Sequence, residues 1–181
     1  MNWEIDFLLW LNEKFSASLG GIKTAIFSAD ILIYLIFAAV VIWTAFSFVS
    51  KFRKYKKKNT EMLVLTTVSA LFARVIIAEP LRILIGRMRP FEVLAGINQL
   101  LNHSAGKSFP SGHATLAFAV ATTVAFYYPR TSIIFFLAGL AVGIGRIATG
   151  VHWPLDIIGG VAVGILSSWL LQFLKKKFWK K

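Results

Sequence analysis

The sequence predicts an all-α membrane protein, a polytopic helical bundle of about five transmembrane helices preceded by an N-terminal interfacial helix. The 181-residue chain is 57% hydrophobic, above the roughly 45–50% that is usual in soluble domains. Several apolar segments approach the length of about 20 residues that crosses a bilayer. Two basic runs, at 51–58 and 175–181, directly adjoin these segments, as is typical of the cytoplasmic side of membrane proteins.

The predicted elements follow the apolar segments in chain order. The segment 3–15 is too short to span a bilayer and carries acidic residues. It therefore predicts a helix in the membrane interface, with Trp3 and Trp10 as anchors. Five spans are predicted after it, at about 24–49, 62–85, 112–128, 132–149 and 155–174. The length predicts that residues 1–181 form a single domain.

The net charge of +12 would fit a nucleic-acid partner. The basic residues instead cluster at the ends of spans, so we expect a lipid bilayer as the partner and no nucleic acid. With both basic runs on the cytoplasmic side, three bends lie on the outer side: those after the second span, before the third, and between the fourth and fifth. The sequence thus predicts a multi-pass plasma-membrane or inner-membrane protein with an extracytoplasmic active site.

Charged side chains inside predicted spans are the main signal of function. Each costs about 2.5–3.5 kcal/mol at the centre of a span, so we expect each to have a partner or a chemical role. In the second span, Glu79 lies three residues before Arg82, where it can pair with Arg82 or with Arg74 on a neighbouring turn. Glu79 and Arg74 are therefore interpreted as structural.

Arg82 and Arg89 are candidate ligands for an anion. They are seven residues apart, which places them on nearly one face of a helix that continues to Pro90. Arginine offers a fork of donors and stays charged, so this pair suits a tetrahedral oxyanion. The alternative interpretation is that Arg87 and Arg89 are headgroup-facing charges at the membrane boundary, and Arg87, which points to another face, is interpreted in this way.

The sequence Pro110-Ser111-Gly112-His113 opens the third predicted span. Helix N-termini present free N–H groups and a partial positive charge, which favour an anion. Ser111 can cap the helix and also donate to a phosphate, and Gly112 lets an oxyanion approach the backbone. His113 can give a proton to a leaving oxygen. An ordinary capped helix with an unrelated histidine is the alternative interpretation.

The third cluster lies around the bend between the fourth and fifth spans. Arg146 closes the fourth span, His152 lies in the bend, and Pro154 suits the first turn of the fifth span. Asp156 follows His152 by four residues. At this spacing a carboxylate can accept from one imidazole nitrogen and leave the other as a nucleophile. A helix-entry hydrogen bond with no catalytic role is the structural alternative.

The predicted topology brings the three clusters to one side of the membrane. Phosphoryl transfer without a metal ion needs several fixed positive charges, and the three arginines supply them. The chain has no cysteine, and its histidines and acidic residues do not follow the spacing of metal ligands. We therefore expect neither a metal nor another cofactor.

On these motifs the sequence resembles the type 2 phosphatidic acid phosphatase family, which shares its site architecture with vanadium haloperoxidases. The family signature is a lysine and an Arg-Pro pair separated by six residues, then Pro-Ser-Gly-His, then Ser-Arg followed by a histidine and an aspartate. The corresponding residues here are Arg82, Arg89-Pro90, Pro110 to His113, Gly145-Arg146, His152 and Asp156. Arg82 replaces the family lysine, and Gly145 replaces a serine that could donate to the phosphate.

The resemblance implies metal-independent hydrolysis of a lipid monophosphate or diphosphate in two steps through a phosphohistidine. It makes His152 the nucleophile, His113 the acid and then the base, and Asp156 the residue that orients His152. The implied phosphate ligands are Arg82, Arg89, Ser111, Gly112 and Arg146. The small size and short outer loop, at about 91–109, resemble enzymes of undecaprenyl diphosphate, with phosphatidylglycerol phosphate and phosphatidic acid as alternatives.

Other functions fit parts of the same pattern. A phosphotransferase would use the same residues and pass the phosphoryl group to an acceptor lipid instead of water. A transporter or scaffold would use the arginines only to bind an anion or a lipid, but it would not need both His113 and His152. A haloperoxidase is disfavoured because those relatives are soluble. The sequence leaves the oligomeric state open.

Overall fold

A computed structural model describes residues 3–178, and over this range the chain is helical with no β-strand. Helix α1 is Trp3–Ser16, and α2 is Leu19–Phe46 with a π-helical segment at Phe27–Ile31. After a 3₁₀ turn, α3 joins Lys56–Leu71, a π-helical segment at Phe72–Ala78, and Glu79–Ile85. The remaining helices are α4 Pro90–Val93, α5 Gly112–Tyr127, α6 Pro129–Ala148 and α7 Pro154–Phe178. The predicted polytopic helical bundle is confirmed.

Four helices within the described residues are long and apolar enough to cross a membrane. They are α2, α6, α7 and the stretch Ser50–Val93, which contains α3. Helix α5, the third predicted span, is apolar but has only 16 residues. It lies in the centre of the bundle and is buried along almost its whole length. The chain is a multi-pass membrane protein in which α5 is enclosed by helices that face the lipid.

The second span ends at Ile85, as the sequence predicted, but its helix does not continue to Pro90. Helix α3 stops at Ile85 because Gly86 adopts a left-handed conformation, with φ of 65°, and its N–H donates to Arg82 O at 3.1 Å. A glycine in this conformation is the commonest way to end a helix. The prediction that a continuous helix places Arg82 and Arg89 on one face is therefore wrong, since Arg89 lies in the loop beyond Gly86.

Small residues bring α7 close to α5. A Cβ atom on Gly160 would lie 2.6 Å from Ser111 O, and one on Gly164 would lie 2.9 Å from Ala119 N. Glycines four residues apart allow two helix backbones to approach closely, which is a common packing mode in membranes. This contact sets the start of α7 directly beside the start of α5.

The two ends of the bundle differ in character. At one end, Lys175 forms an ion pair with Glu61, and Tyr128 OH donates to Asn59 Oδ1 at 2.5 Å. Both basic runs begin at this end, although Lys180 and Lys181 lie outside the described residues. At the opposite end, which we call the site end, α3 and α6 finish and α5 and α7 begin.

Helix α1 packs across the site end. Leu8 and Leu11 are buried against the last turn of α6 and against Trp153. The buried Asn12 donates through Nδ2 to Ala148 O and Asn98 O, both at 2.8 Å. It thereby joins α1 to α6 and to the loop at 94–111. The predicted anchors, Trp3 and Trp10, are exposed, and the interfacial position of α1 stays a prediction.

Candidate active site

The loop after α3 carries Arg89 into the site end. The buried Arg89 donates through Nη1 to Val151 O at 2.8 Å and through Nη2 to Lys107 O at 3.2 Å. Trp153 Nε1 donates to Met88 O at 2.8 Å. These bonds hold the loop between the segments that precede α5 and α7. Arg89 thus reaches the site through tertiary contacts and not through the helical spacing that the sequence indicated.

Arg82 lies in the last turn of α3 and faces the start of α5. Its Nη2 donates to Pro110 O at 3.1 Å, and its Nη1 donates to Glu79 Oε2 at 2.9 Å. The same carboxylate oxygen accepts from Arg74. Glu79 therefore pairs with both Arg74 and Arg82, the two partners that the sequence predicted. It orients Arg82 toward the motif at 110–113.

Gly112 has a different neighbour from the one expected. A Cβ atom on Gly112 would lie 2.6 Å from Arg74 Nε, so the side chain of Arg74 occupies the space on that side of the backbone. The missing Cβ admits this guanidinium against the first turn of α5. The expectation that an oxyanion approaches the Gly112 backbone stays a prediction.

Ser111 occupies the N-cap position of α5, but its side chain makes no cap hydrogen bond. Its backbone fixes the turn: Ser111 O accepts from Thr115 N and Oγ1, and Ser111 N donates to Asp156 O at 3.0 Å. The predicted side-chain cap is therefore wrong. Ser111 Oγ is buried with no hydrogen-bond partner among the described residues, which leaves the hydroxyl able to donate to a ligand.

His152 lies in the short loop between α6 and α7, with Asp156 in the first turn of α7. The expected contact is present: His152 Nδ1 lies 3.2 Å from Asp156 Oδ2. Its Nε2 lies 3.3 Å from Arg89 Nη1. Because arginine only donates, a hydrogen bond here needs an Nε2 lone pair, which puts the imidazole proton on Nδ1 facing the carboxylate.

Burial, assisted by the charges of Arg146 and Arg89, lowers the pKa of His152 well below its ordinary range. The imidazole is therefore neutral at neutral pH, and Nε2 keeps its lone pair. A neutral imidazole with a carboxylate on its far nitrogen has the arrangement of a nucleophile held in one tautomer.

His113 lies at the start of α5 and is partly exposed, at 27% of its side chain. Its Nε2 lies 3.6 Å from Asp30 Oδ1. Asp30 comes from the π-helical segment of α2, and the sequence reasoning did not single it out. A lone acidic residue within an otherwise apolar span was the available signal, because such a residue needs a partner.

Arg146 is the most enclosed arginine in the site. Only 1% of the residue is exposed, and its Nε has no hydrogen-bond partner among the described residues. The Nε atoms of Arg82 and Arg89 are also buried without partners there, as is Ser111 Oγ. A buried donor without an acceptor costs about 1–3 kcal/mol, and more when it is charged. Four such donors at one site indicate a place for an anion.

Arg87 does not face the lipid headgroups, so this interpretation is wrong. Its Nη1 donates to Asp156 Oδ1 at 3.2 Å, and its Nη2 donates to Glu4 Oε2 at 2.6 Å. Its guanidinium also lies 4.8 Å from the centre of the Trp153 ring. The sequence could not reveal these contacts because Glu4 and Asp156 are 152 residues apart in the chain.

Gly145, where the family has serine, lies against α2. A Cβ atom on Gly145 would lie 2.6 Å from Ala29 N and closer still to Ser28 Oγ. Ser28 Oγ donates to Thr24 O at 2.8 Å, so its position is fixed. The π-helical segment of α2 therefore takes the space that the family serine side chain needs, and glycine is required for this contact.

Replacing Gly145 by serine is expected to destabilise the protein by about 1–3 kcal/mol, as overpacking does. The added side chain would push α2 away from α6 and would displace Asp30 from His113. Thermal unfolding in detergent measures the effect. Gly20→Ser is the matched control, since a Cβ atom at Gly20 has no neighbour within 4 Å. Equal unfolding midpoints for the two variants would contradict the prediction.

Within residues 3–178, no group of three or more histidine, cysteine, aspartate or glutamate side chains is placed to hold a metal ion. The charges that face the candidate site are mainly arginines. The fold and the site together define a helical membrane protein with a buried cationic centre next to a neutral histidine. Several fixed positive charges in a buried site suit an anion such as phosphate.

The chain belongs to the PAP2 superfamily, whose family model matches residues 63–179. It is 32% identical over 111 residues to the "Bacitracin transport permease protein BcrC" of Bacillus licheniformis. That alignment covers 61% of this chain and 54% of the relative. It is 29% identical over 155 residues to the "Putative undecaprenyl-diphosphatase YbjG" of Escherichia coli K12, covering 84% and 73%. The chain spans about half the length of the first curated relatives that it matches.

Two solved structures share the fold. The Aquifex aeolicus LpxE structure superposes with a TM-score of 0.69 at 21% identity, covering 96% of both chains. The "first transmembrane PAP2 type phosphatidylglycerolphosphate phosphatase" of Bacillus subtilis superposes with a TM-score of 0.59 at 26% identity, covering 93% of this chain and 78% of the other. The likeness to the first extends over almost the whole chain and includes α1.

Proposed function

We propose that this chain is a membrane lipid phosphatase that hydrolyses undecaprenyl diphosphate to undecaprenyl phosphate and inorganic phosphate through a phosphohistidine, without a metal ion. The observation that carries the proposal is the group of buried donors without acceptors, three arginine Nε atoms and Ser111 Oγ, at a site that also holds the neutral His152. A terminal phosphate would supply acceptors for these donors.

In the first step, His152 Nε2 attacks the terminal phosphorus. An N–P bond forms and the P–O bond to undecaprenyl phosphate breaks, with the electron pair going to the leaving oxygen. His113, protonated in the substrate complex where Asp30 and the phosphate balance its charge, gives that oxygen its proton. Arg82, Arg89 and Arg146 balance the charge on the phosphoryl oxygens in the transition state, which is the main catalytic contribution expected of preorganised donors.

In the second step, water attacks the phosphohistidine. His113, now without its proton, takes one from the attacking water. The O–P bond forms, the N–P bond breaks, and inorganic phosphate leaves with His152 returned to its neutral form. Asp156 holds the Nδ1 proton in both steps, so the same ring nitrogen serves as nucleophile and leaving group.

Two observations support the substrate and the membrane side. The alignment with the relative named "Putative undecaprenyl-diphosphatase YbjG" covers most of this chain, while the Bacillus subtilis structure favours phosphatidylglycerol phosphate as the alternative. The site end lies opposite the end where both basic runs begin. Basic residues next to spans prefer the cytoplasm, so we place the site on the extracytoplasmic side of the plasma membrane.

The test is phosphate release by the purified full chain in detergent, with undecaprenyl diphosphate, phosphatidylglycerol phosphate and phosphatidic acid measured side by side. We expect the highest kcat/KM with undecaprenyl diphosphate, full activity in EDTA, and inhibition by vanadate. Loss of activity in EDTA, or no release from any of the three lipids by folded protein, would overturn the proposal.

Labelled phosphate tests the intermediate directly. After an acid-free quench, label from the terminal phosphate is expected on the protein as a base-stable, acid-labile adduct at His152. The variant His103→Ala is the control for the position of the label and should keep the adduct, because the side chain of His103 bonds only to Ser104 O among the described residues. Label that moves from donor lipid to acceptor lipid instead of free phosphate would indicate a phosphotransferase.

A further inference from the structure

A continuous chain of polar contacts joins the N-terminal helix to His152. Glu4 Oε2 accepts from Arg87 Nη2 at 2.6 Å, and Arg87 Nη1 donates to Asp156 Oδ1 at 3.2 Å. The other oxygen of Asp156, Oδ2, lies 3.2 Å from His152 Nδ1 and accepts from Trp153 N at 2.9 Å. One carboxylate thus faces a guanidinium on one side and an imidazole on the other.

The burial of this chain of contacts makes its charges matter. Asp156 is 0% exposed and Glu4 is 6% exposed, so neither carboxylate is strongly screened by water. Arg87 lies between them and is held against the Trp153 ring. Both carboxylates therefore interact with the same guanidinium. Its electrostatic attraction for Asp156 depends on how much of its charge Glu4 balances.

Glu4 also fixes the backbone next to the nucleophile. Its Oε1 accepts from Leu155 N at 3.0 Å, in the first turn of α7. A carboxylate at a helix N-terminus is stabilised by the free N–H groups there. Helix α1 is thereby attached to the helix start that carries Asp156, across 151 residues of sequence.

We propose that Glu4 and Arg87 are positioning residues for the phosphohistidine step, so that α1 is part of the catalytic unit and not only a membrane anchor. The proposal rests on the proposed function. When His152 Nε2 bonds to phosphorus, its ring gains positive charge, and Asp156 stabilises that charge from Nδ1. Glu4 fixes the position of Arg87 and balances part of its charge. The carboxylate of Asp156 therefore remains available to stabilise the His152 ring.

The test compares Glu4→Gln with Glu13→Gln in the full chain. Both substitutions remove one carboxylate from α1 and keep nearly the same shape, but Glu13 is exposed. Glu4→Gln is expected to lower kcat by about 10-fold or more, in the range typical of residues that orient a reactive group from behind. KM should change little, since Glu4 does not touch the phosphate. Glu13→Gln should keep the parent kcat.

A double variant separates positioning from general damage. Glu4 and Arg87 act through one chain of contacts, so Glu4→Gln combined with Arg87→Gln should cost no more than the worse single variant. Glu4→Asp keeps the charge on a shorter side chain and should regain part of the lost kcat. Unfolding midpoints of all variants in detergent show whether each protein is folded.

The outcomes distinguish the two proposals. An inactive parent chain would overturn the proposed function. An active parent with equal kcat for Glu4→Gln and Glu13→Gln would overturn the positioning role and leave the proposed function intact. If Glu4→Gln fails to fold, Arg87→Gln decides: a folded Arg87→Gln protein with the parent kcat also overturns the role. Losses that multiply in the double variant would do the same.

Discussion

Replacing His152 by alanine is expected to lower the rate of phosphate release by a factor of about 10⁴ or more, as the loss of a covalent nucleophile does. The effect should appear in kcat, because the arginines proposed as phosphate ligands remain. Steady-state release from undecaprenyl diphosphate measures it. The same substitution should remove the labelled adduct from the protein.

His103→Ala is the control for this prediction: it should keep the labelled adduct and lose far less activity than His152→Ala, because His103 is near the site arginines but only His152 of these two has Asp156 on its ring. The two histidines differ in surroundings: His152 is buried between Asp156 and Arg89, whereas His103 lies in the loop at 94–111. A His152→Ala protein with full activity would show that another group attacks phosphorus and that the mechanism assigned here is wrong.

Replacing Arg146 by methionine is expected to change activity and stability in opposite directions. Activity should fall by about 10²–10³-fold, the usual effect of removing one donor from a charge-stabilising site. The unfolding midpoint without ligand should rise, because a buried guanidinium with no paired carboxylate is unfavourable in the folded state. Thermal unfolding in detergent, with and without vanadate, measures both the rise and the loss of ligand stabilisation.

Arg130→Met provides the control for Arg146. Arg130 is exposed at the end of the bundle where the basic runs begin, so its removal should alter neither the activity nor the stabilisation by vanadate. An Arg146→Met protein that is as strongly stabilised by vanadate as the parent chain would mean that Arg146 does not contact the phosphate.

The site combines features that would each be unfavourable without a ligand. Buried arginines without full sets of acceptors lower the stability of the protein alone. The close packing of α5, α6 and α7, with Gly160 and Gly164 at the contact, holds these side chains where an oxyanion can collect their hydrogen bonds. Stability is then partly restored when the anion binds, since a ligand that binds only the folded state stabilises it.

The motif residues were predictable because their chemistry is costly in a membrane. Charged and imidazole side chains next to apolar spans need partners, and the spacing of His152 and Asp156 allowed their contact to be predicted from one helical turn. The resemblance to a phosphatase family added the phosphate ligands. The assignment of roles to these residues stays a prediction until the variants are measured.

Local rules failed where a long-range contact decided the outcome. The helical spacing of Arg82 and Arg89 predicted a shared face, but Gly86 ends the helix between them. Ser111 has the residue type of a helix cap, yet its hydroxyl points to no backbone N–H. In each case a loop or a neighbouring helix offered contacts that the local pattern does not contain.

The sequence by itself determined the class of fold and the order of the spans, and it supplied the proposed site residues, because hydropathy, charge placement and motif spacing are local properties. Only the tertiary structure decided which of these residues meet. It placed Arg87 between Glu4 and Asp156, Asp30 beside His113, and α2 against Gly145. The physical reason is that these contacts form between helices distant in sequence, where packing alone sets the distances.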